Sequence, residues 1–235
     1  GQIDDVRIYD RALSEAEVSE LYELEIPEPE LTPLEDGLVA YYPFNGNADD
    51  ESGNGNNGTV NGATLTTDRN GNADSAYYFD GGNDLINVPS SSSLNFTNSL
   101  TLNFWIKPSS WAGSEQGIIS KKANDASRGY VVYRDGNFPD RINFRYGGSG
   151  GGQDILTTNS SVSDNQWENW TVTYEGNSSK WYRNGQLDQE YSPLPDSTDM
   201  GNNEALTIGY AQTWNYYYTG LIDDVRIYNR ALSAG

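Results

Sequence analysis

A chain of 235 residues is long enough for one well-buried core with appendages. It has no Cys and no His, which excludes disulfides, thiol catalysis, Cys- or His-ligated zinc and histidine acid/base chemistry. A formal net charge of −20, from 34 acidic and 14 basic residues, repels phosphate backbones and anionic lipid; it argues against nucleic-acid partners and suits divalent cations or plain solubility in salt.

The first fourteen residues, GQIDDVRIYDRALS, return at 220–233 as GLIDDVRIYNRALS, with differences only at Gln2/Leu221 and Asp10/Asn229. The offset of 219 residues is about one β-sandwich domain. Residues 1–24 therefore read as the C-terminal fragment of a preceding repeat, 25–36 as a linker, and 37–235 as a complete module, with neighbouring repeats of the same protein as expected partners. Within the fragment, IDDVRIY (3–9) alternates as a strand. Ser14 with Glu17 makes a capping box, so a helix is expected over about 15–24. The linker carries Pro27, Pro29 and Pro33 among acids and little to bury, so it reads as stiff and extended.

From Gly37 the pattern is all-β. Strands are expected at 38–44, 76–81, 85–88 and 99–108, the last with Leu100, Leu102, Phe104 and Ile106 on one face. Further strands are expected at 117–121, 129–134, 141–146, 167–176, 179–191, 205–210 and 221–228, with Asn184-Gly185 marking a tight hairpin turn. Trp105, Trp167, Trp170 and Tyr182 fall inside strong strand patterns and read as framework. GGSGGGQD (147–154) lacks GK[ST] and any following helix, so it reads as a flexible connection and not a phosphate loop. No apolar run approaches the length of a membrane-spanning helix, so no membrane insertion is expected. Short strands at this spacing predict a two-sheet antiparallel jelly-roll β-sandwich with a short N-terminal strand-helix tail.

Six segments in order, GLVAYYPFNGNADDESGNGNNGTVNGA (37–63), YYFDGGNDLINVP (77–89), SLTLNFWIKP (99–108), WENWTVTYEG (167–176), WYRNGQL (181–187) and GLIDDVRIYNRALS (220–233), resemble the laminin-G-like, concanavalin-A-like family of bacterial extracellular modules. The resemblance implies a jelly roll, often a bound calcium, roles in glycan or protein binding, and an extracellular or cell-surface place in a secreted bacterial protein. In the family a DxSGNGN pattern recurs, and it matches Asp50, Ser52, Gly53 and Asn56 here.

Calcium takes six to eight oxygens in flexible geometry, and the loop NADDESGNGNNG (47–58) is rich in Asp, Asn and Gly. Val225 and Ile227 are expected to face the core, which places Asp223 on the same inward face, while Asp224, on the opposite face, is expected to be solvated. The expected metal set is Asp50, Gly53, Asn56 and Asp223, with Asp50 and Asp223 meeting across one ion. The alternative is that Asp223 accepts backbone N–H groups of the loop and Asp50 caps a turn. Asp80 to Asp84 reads as the shaping of a hairpin.

Sugar sites pair an aromatic face with planar amide or carboxylate groups. YAQTWNYYYTG (210–220) places Tyr210, Trp214, Tyr216, Tyr217 and Tyr218 around Gln212 and Asn215 in a loop or hairpin at one end of the sandwich. The expected carbohydrate-binding residues are Trp214, Tyr216, Tyr218, Gln212 and Asn215, with Trp111 and Tyr133 as contributors. Jelly-roll glucanases carry E-x-D-x-x-E or a close variant; no E-x-D occurs here, and no convergent carboxyl pair is visible, so no catalysis is expected. Two readings follow: a calcium-binding module for a polysaccharide or other glycan, or a structural or protein-adhesion module in a tandem surface array, with calcium only stabilising.

Overall fold

A computed structural model describes residues 6–18, 34–111, 115–122, 128–134, 136–137, 139–147, 153–194 and 200–233. The chain divides into two compact units, Gly1–Asp36 and Gly37–Gly235.

In the first unit the capping box forms as the spacing predicts. The Ser14 N–H donates to Glu17 Oε2 at 2.9 Å, and the Glu17 N–H donates to Ser14 Oγ at 3.3 Å. Residues 15–18 are helical, and Arg11 pairs with Glu17 at 2.7 Å. The rest of the expected helix, the start of the expected strand and linker residues 25–33 lie outside the described residues. Residues 6–9 belong to no ladder, which departs from the strand their alternation predicts; Val6 and Ile8 are 72% and 92% exposed.

The second unit is a two-sheet antiparallel sandwich. Its strands are β1 (Leu38–Tyr42), β2 (Thr59–Asn61), β3 (Thr64–Thr66), β4 (Ala76–Asp80), β5 (Leu85–Val88), β6 (Ser99–Pro108), β7 (Gln116–Lys121), β8 (Gly129–Arg134) and β9 (Asn143–Gly147). They continue with β10 (Gln153–Thr157), β11 (Glu168–Glu175), β12 (Ser178–Arg183), β13 (Gln186–Tyr191), β14 (Leu206–Ile208), β15 (Tyr210–Ala211), β16 (Tyr216–Tyr217) and β17 (Thr219–Tyr228). The first sheet runs β13-β12-β11-β6-β17-β4-β3, with β1 also paired to β17; the second runs β10-β9-β8-β7-β14-β5-β2.

Period-two alternation builds the core. Leu100, Leu102, Phe104 and Ile106 of β6 are all fully buried, as expected, beside Trp170, Val172 and Tyr174 of β11. The second sheet answers with Ile86, Val88, Tyr130, Val132, Phe144 and Leu206. The Asn184-Gly185 turn closes the β12–β13 hairpin with positive φ at both residues, as its sequence predicts. Trp170 is framework, but Trp105 and Tyr182 are not interior: they lie half-buried on the outer face of the first sheet.

The closing strand does not alternate without interruption. Ile222, Val225 and Ile227 all enter the core, yet Ile222 and Val225 are three residues apart. One extra residue absorbs the difference: the register against β6 shifts between Asp223 and Arg226, and Asp224 sits at φ +47°. The bulge moves Asp223 to the outer face, opposite Trp105.

Candidate functional site

The segment with the densest aromatic content folds as a small hairpin, β15–β16, seated on the outer face of the second sheet. Antiparallel pairing opposes Tyr210 to Tyr217 and Ala211 to Tyr216, which assigns the rings to two sides. Ala211, Tyr216 and Trp214 pack on Val131 and Tyr133 of β8. Trp214 lies 4.5 Å from the Tyr133 ring and 5.6 Å from Tyr216, and the Arg145 guanidinium lies 5.4 Å from its centroid. On the other side Tyr210 and Tyr217 stack at 4.4 Å, and the Tyr210 hydroxyl donates to Asn215 Oδ1 at 3.1 Å. Burial, and then the neighbouring Tyr217, push the Tyr210 hydroxyl above its usual pKa.

The turn of the hairpin is tied down twice. Gln212 Nε2 donates to Glu204 at 3.2 Å, and Thr213 Oγ1 donates to the Lys122 carbonyl at 2.7 Å. Beneath it, the buried Lys121 ammonium donates to Asn202 O and Oδ1 and to Glu204 O, each at 2.9 Å, which fixes the segment that carries Glu204. Glycine at 117 is required by close approach: a Cβ there would stand 2.1 Å from the Ala211 nitrogen. Gly117→Ala should therefore lift the hairpin. The expected result is loss of the near-ultraviolet circular-dichroism signal of the Trp214–Tyr133 stack, with the cooperative unfolding of the core retained; an unchanged spectrum would refute the seating.

Of the sequence-expected carbohydrate residues, Trp214, Tyr216, Gln212 and Asn215 come together in this hairpin, half-buried except for exposed Asn215. Tyr133 joins them from below, at 2% exposure, as their support. Three expectations are corrected, since Tyr133 at that burial supports the hairpin and offers no face to a ligand. Tyr218 is fully buried against Phe79, because the return strand turns inward after Tyr217. Trp111 is 2% exposed, drawn into the core where the chain leaves β6 and its backbone N–H meets Asp164. None of the three rings faces a ligand. The residues missing from the expected set are Tyr210 and Tyr217; alternation across the hairpin is the signal that separates them from Tyr216.

The 47–58 loop makes a different use of its polar groups. Among the described residues β1 pairs only with β17, so its other edge needs partners. The loop supplies them. Asp50 accepts the N–H groups of Tyr41, Ser52 and Asn56, each at 2.9 Å. Ser52 Oγ and Asn56 Nδ2 donate to the Val39 carbonyl, Asn54 Nδ2 donates to Leu38, and the Glu51 N–H donates to Tyr41. The DxSGNGN pattern here seals a sheet edge with side chains. Gly53, at φ +87°, is an exposed turn residue.

Asp223 has other partners. Arg69, presented by a turn in which Asp68 accepts the N–H groups of Asn70 and Asn72, forks onto Asp223 and Asp224 and stacks 4.6 Å from the Trp105 ring. Asp224 is 8% exposed and not solvated, because the bulge turns it toward Arg69, the Tyr41 hydroxyl at 2.9 Å and Arg226 at 3.2 Å. Burial and the neighbouring Asp224 push the Asp223 carboxyl up to about 7 against the pull of Arg69. The set Asp50, Gly53, Asn56 and Asp223 therefore does not converge as a calcium cage: Asp50 is satisfied by N–H donors, and Asp223 faces a guanidinium. Among the described residues no group of three or more His, Cys, Asp or Glu gathers around a common point.

This sandwich, with an aromatic hairpin on one outer face, has known relatives. Residues 80–235, about two thirds of the chain, match the family described as the concanavalin A-like lectin/glucanases superfamily, and the chain belongs to it. No curated protein matches the sequence. Among solved structures, domain 4 of AbnA, a GH43 extracellular arabinanase from Geobacillus stearothermophilus in complex with arabinotriose, is similar over 84% of this chain and 94% of its own, at 22% identity and a TM-score of 0.66. The binding domain of Paraclostridial Mosquitocidal Protein 1 is similar over 85% of this chain at 21% identity and a TM-score of 0.67. The botulinum neurotoxin serotype G binding domain is similar over 84%, at 20% identity and 0.62. This chain spans about half the length of the two toxin domains, covering 50% and 49%.

Proposed function

We propose that this is a non-catalytic glycan-binding module of a secreted or surface-attached bacterial protein, and that the β15–β16 hairpin is its ligand platform. The observation that carries the reading is the rigid seating of half-exposed rings beside planar amides: Tyr210, Tyr217, Trp214 and Tyr216 with Asn215 and Gln212. Such rings cover the apolar face of a pyranose or furanose while amides read hydroxyls, and rigid seating limits the entropy lost on binding. Membership of a lectin/glucanase superfamily and the arabinotriose held by a structural neighbour support a saccharide over other ligands. A non-catalytic role is supported by Glu168, which is committed to Arg183, the Trp170 indole N–H and the Ser163 N–H.

The second reading, a protein-adhesion module, is favoured by one observation: Trp214 spends much of its surface on Tyr133 and Tyr216. A glycan array of plant and marine polysaccharides, run with calcium and with chelator, separates the two. Specific binding, weakened about tenfold or more (~1.4 kcal/mol) by Tyr210→Ala or Asn215→Ala with an unchanged melting temperature, is the expected result. A folded protein that binds nothing on the array, in calcium or in chelator, would sink the glycan reading in favour of adhesion.

A further inference from the structure

We propose that Lys121 and Asn202 are the two halves of an intramolecular isopeptide bond: the Lys121 amine displaces ammonia from the Asn202 carboxamide and ties the end of β7 to the segment ahead of β14. Lys121 is fully buried at the last position of β7, and its Nζ lies 2.9 Å from Asn202 Oδ1. Two backbone carbonyls, Asn202 O and Glu204 O, hold the ammonium at the same distance. The third acceptor differs in kind, because a side-chain amide is an electrophile. That carboxamide is fixed at both ends. Its Nδ2 donates to the Lys121 carbonyl at 2.9 Å and to the Arg128 carbonyl at 2.8 Å, which turns its oxygen toward Lys121. Its Oδ1 also accepts the Glu204 N–H at 2.9 Å, a backbone donor placed where negative charge develops when the carbonyl carbon is attacked. The Asn202 backbone is anchored in turn, its N–H donating to Asn95 Oδ1 at 3.1 Å. Glycine at 129, where β8 begins, leaves room for the pair: a Cβ there would stand 2.7 Å from Asn202 Nδ2 and 2.1 Å from the Lys121 carbonyl oxygen.

The nucleophile is the free amine. Burial lowers the Lys121 pKa to about 8, against the opposing charge of Glu204, so a fraction on the order of a tenth is amine at pH 7. The Nζ lone pair adds to Cγ of Asn202, the Cγ–Nδ2 bond breaks, and the carboxamide nitrogen leaves as ammonia with a proton from the former amine. Counted from the ammonium, the products are a secondary amide between Nζ and Cγ and one ammonium ion in solution. Atoms and charge balance, and no oxidant, reductant or further reactant is needed. Holding amine and amide together supplies the rate that the two groups lack in free solution. Escape of ammonia into bulk water makes the exchange one-way. The bond closes a long loop of the chain, which restricts the unfolded state as a disulfide would in a protein that has no cysteine. It also locks the Glu204 segment beneath the β15–β16 hairpin, whatever that hairpin binds.

Mass spectrometry of the full chain reads the bond directly. The folded protein is kept for several days at about pH 8.5, where more of Lys121 is amine, then denatured and weighed. The expected mass is about 17 Da below that of the sequence, one ammonia lost, and digestion should yield a fragment in which the Lys121 and Asn202 peptides are joined. Lys121→Arg should show the full mass of its own sequence. The joined fragment in the parent decides the matter even where the variant fails to fold. Closure of an Asn-Gly turn such as Asn184-Gly185 to a succinimide also loses ammonia, but it joins no peptides and survives Lys121→Arg. A deficit of that kind alone, or the unmodified mass with the two peptides recovered separately, would overturn the proposal and leave Lys121 as an ammonium held by three oxygens.

Discussion

Replacing Asp50 with alanine should lower the stability of the module by about 3 kcal/mol, and by the same amount in calcium and in chelator. The carboxylate holds three backbone N–H groups, those of Tyr41, Ser52 and Asn56, at 2.9 Å each. Each orphaned donor costs on the order of 1 kcal/mol or more, moderated here because the loop is only partly buried and water can reach it. Asp50→Asn keeps one oxygen on the Oδ1 side and loses the Asn56 bond, so about 1 kcal/mol is expected. Urea unfolding of the three proteins, with and without calcium, gives the ranking. A loss seen only in calcium would mean that Asp50 acts as a metal ligand and would remove the edge-sealing account, since metal that binds only the folded state adds stability in proportion to its occupancy.

The same loop shows how far sequence can be read. Its composition says that many oxygens gather between residues 47 and 58, and they do. What composition cannot say is that an adjacent strand has an unpaired edge whose N–H and C=O groups claim those oxygens first. That depends on β1 pairing with β17 on one edge, a fact of topology. The strand with sustained alternation was legible to the residue: β6 occupies the expected span, because four alternating apolar positions leave one register. β2, β3 and β16 have two or three residues each, too short for a period. β10 follows a glycine run that conceals where pairing resumes.

The aromatic hairpin was half legible. Ring density marked the segment, and Trp214, Tyr216, Gln212 and Asn215 do gather there. Which rings face outward follows from the pairing of Tyr210 with Tyr217, and Tyr218 continues into the core because the strand after it belongs to the other sheet. Asp223 failed for one reason, the bulge. Its trace was present in the sequence: Ile222 and Val225 are both apolar and three apart, which no uninterrupted strand with one buried face allows. Two aspartates at that point, one at φ +47°, make sense only once Arg69 is placed against them.

Arg69→Met should cost about 3 kcal/mol at alkaline pH and much less at about pH 5. Arg69 is the cation that forks onto Asp223 and Asp224, whose side chains are 2% and 12% exposed. Removing it leaves Asp223 buried without its counter-charge and leaves Asp224 with Arg226 and the Tyr41 hydroxyl. The folded-state pKa of Asp223 is raised from 3.8 to about 7, chiefly by burial. A raised carboxyl binds its proton more tightly in the folded than in the unfolded chain. Its contribution to stability is therefore complete below about pH 4 and is lost as pH rises through 7. Without Arg69 the pKa rises further, so the variant keeps losing stability above 7 where the parent has levelled off. The gap between parent and variant should be small and flat below about pH 6 and should open above 7, and it should lose that pH dependence when both carry Asp223→Asn. Urea unfolding across this range reads the gap directly. A gap independent of pH in the Asp223 background would show that Arg69 does not act through the titration of Asp223, and would sink this account in favour of contacts that do not titrate here, such as its stack on Trp105, 4.6 Å away.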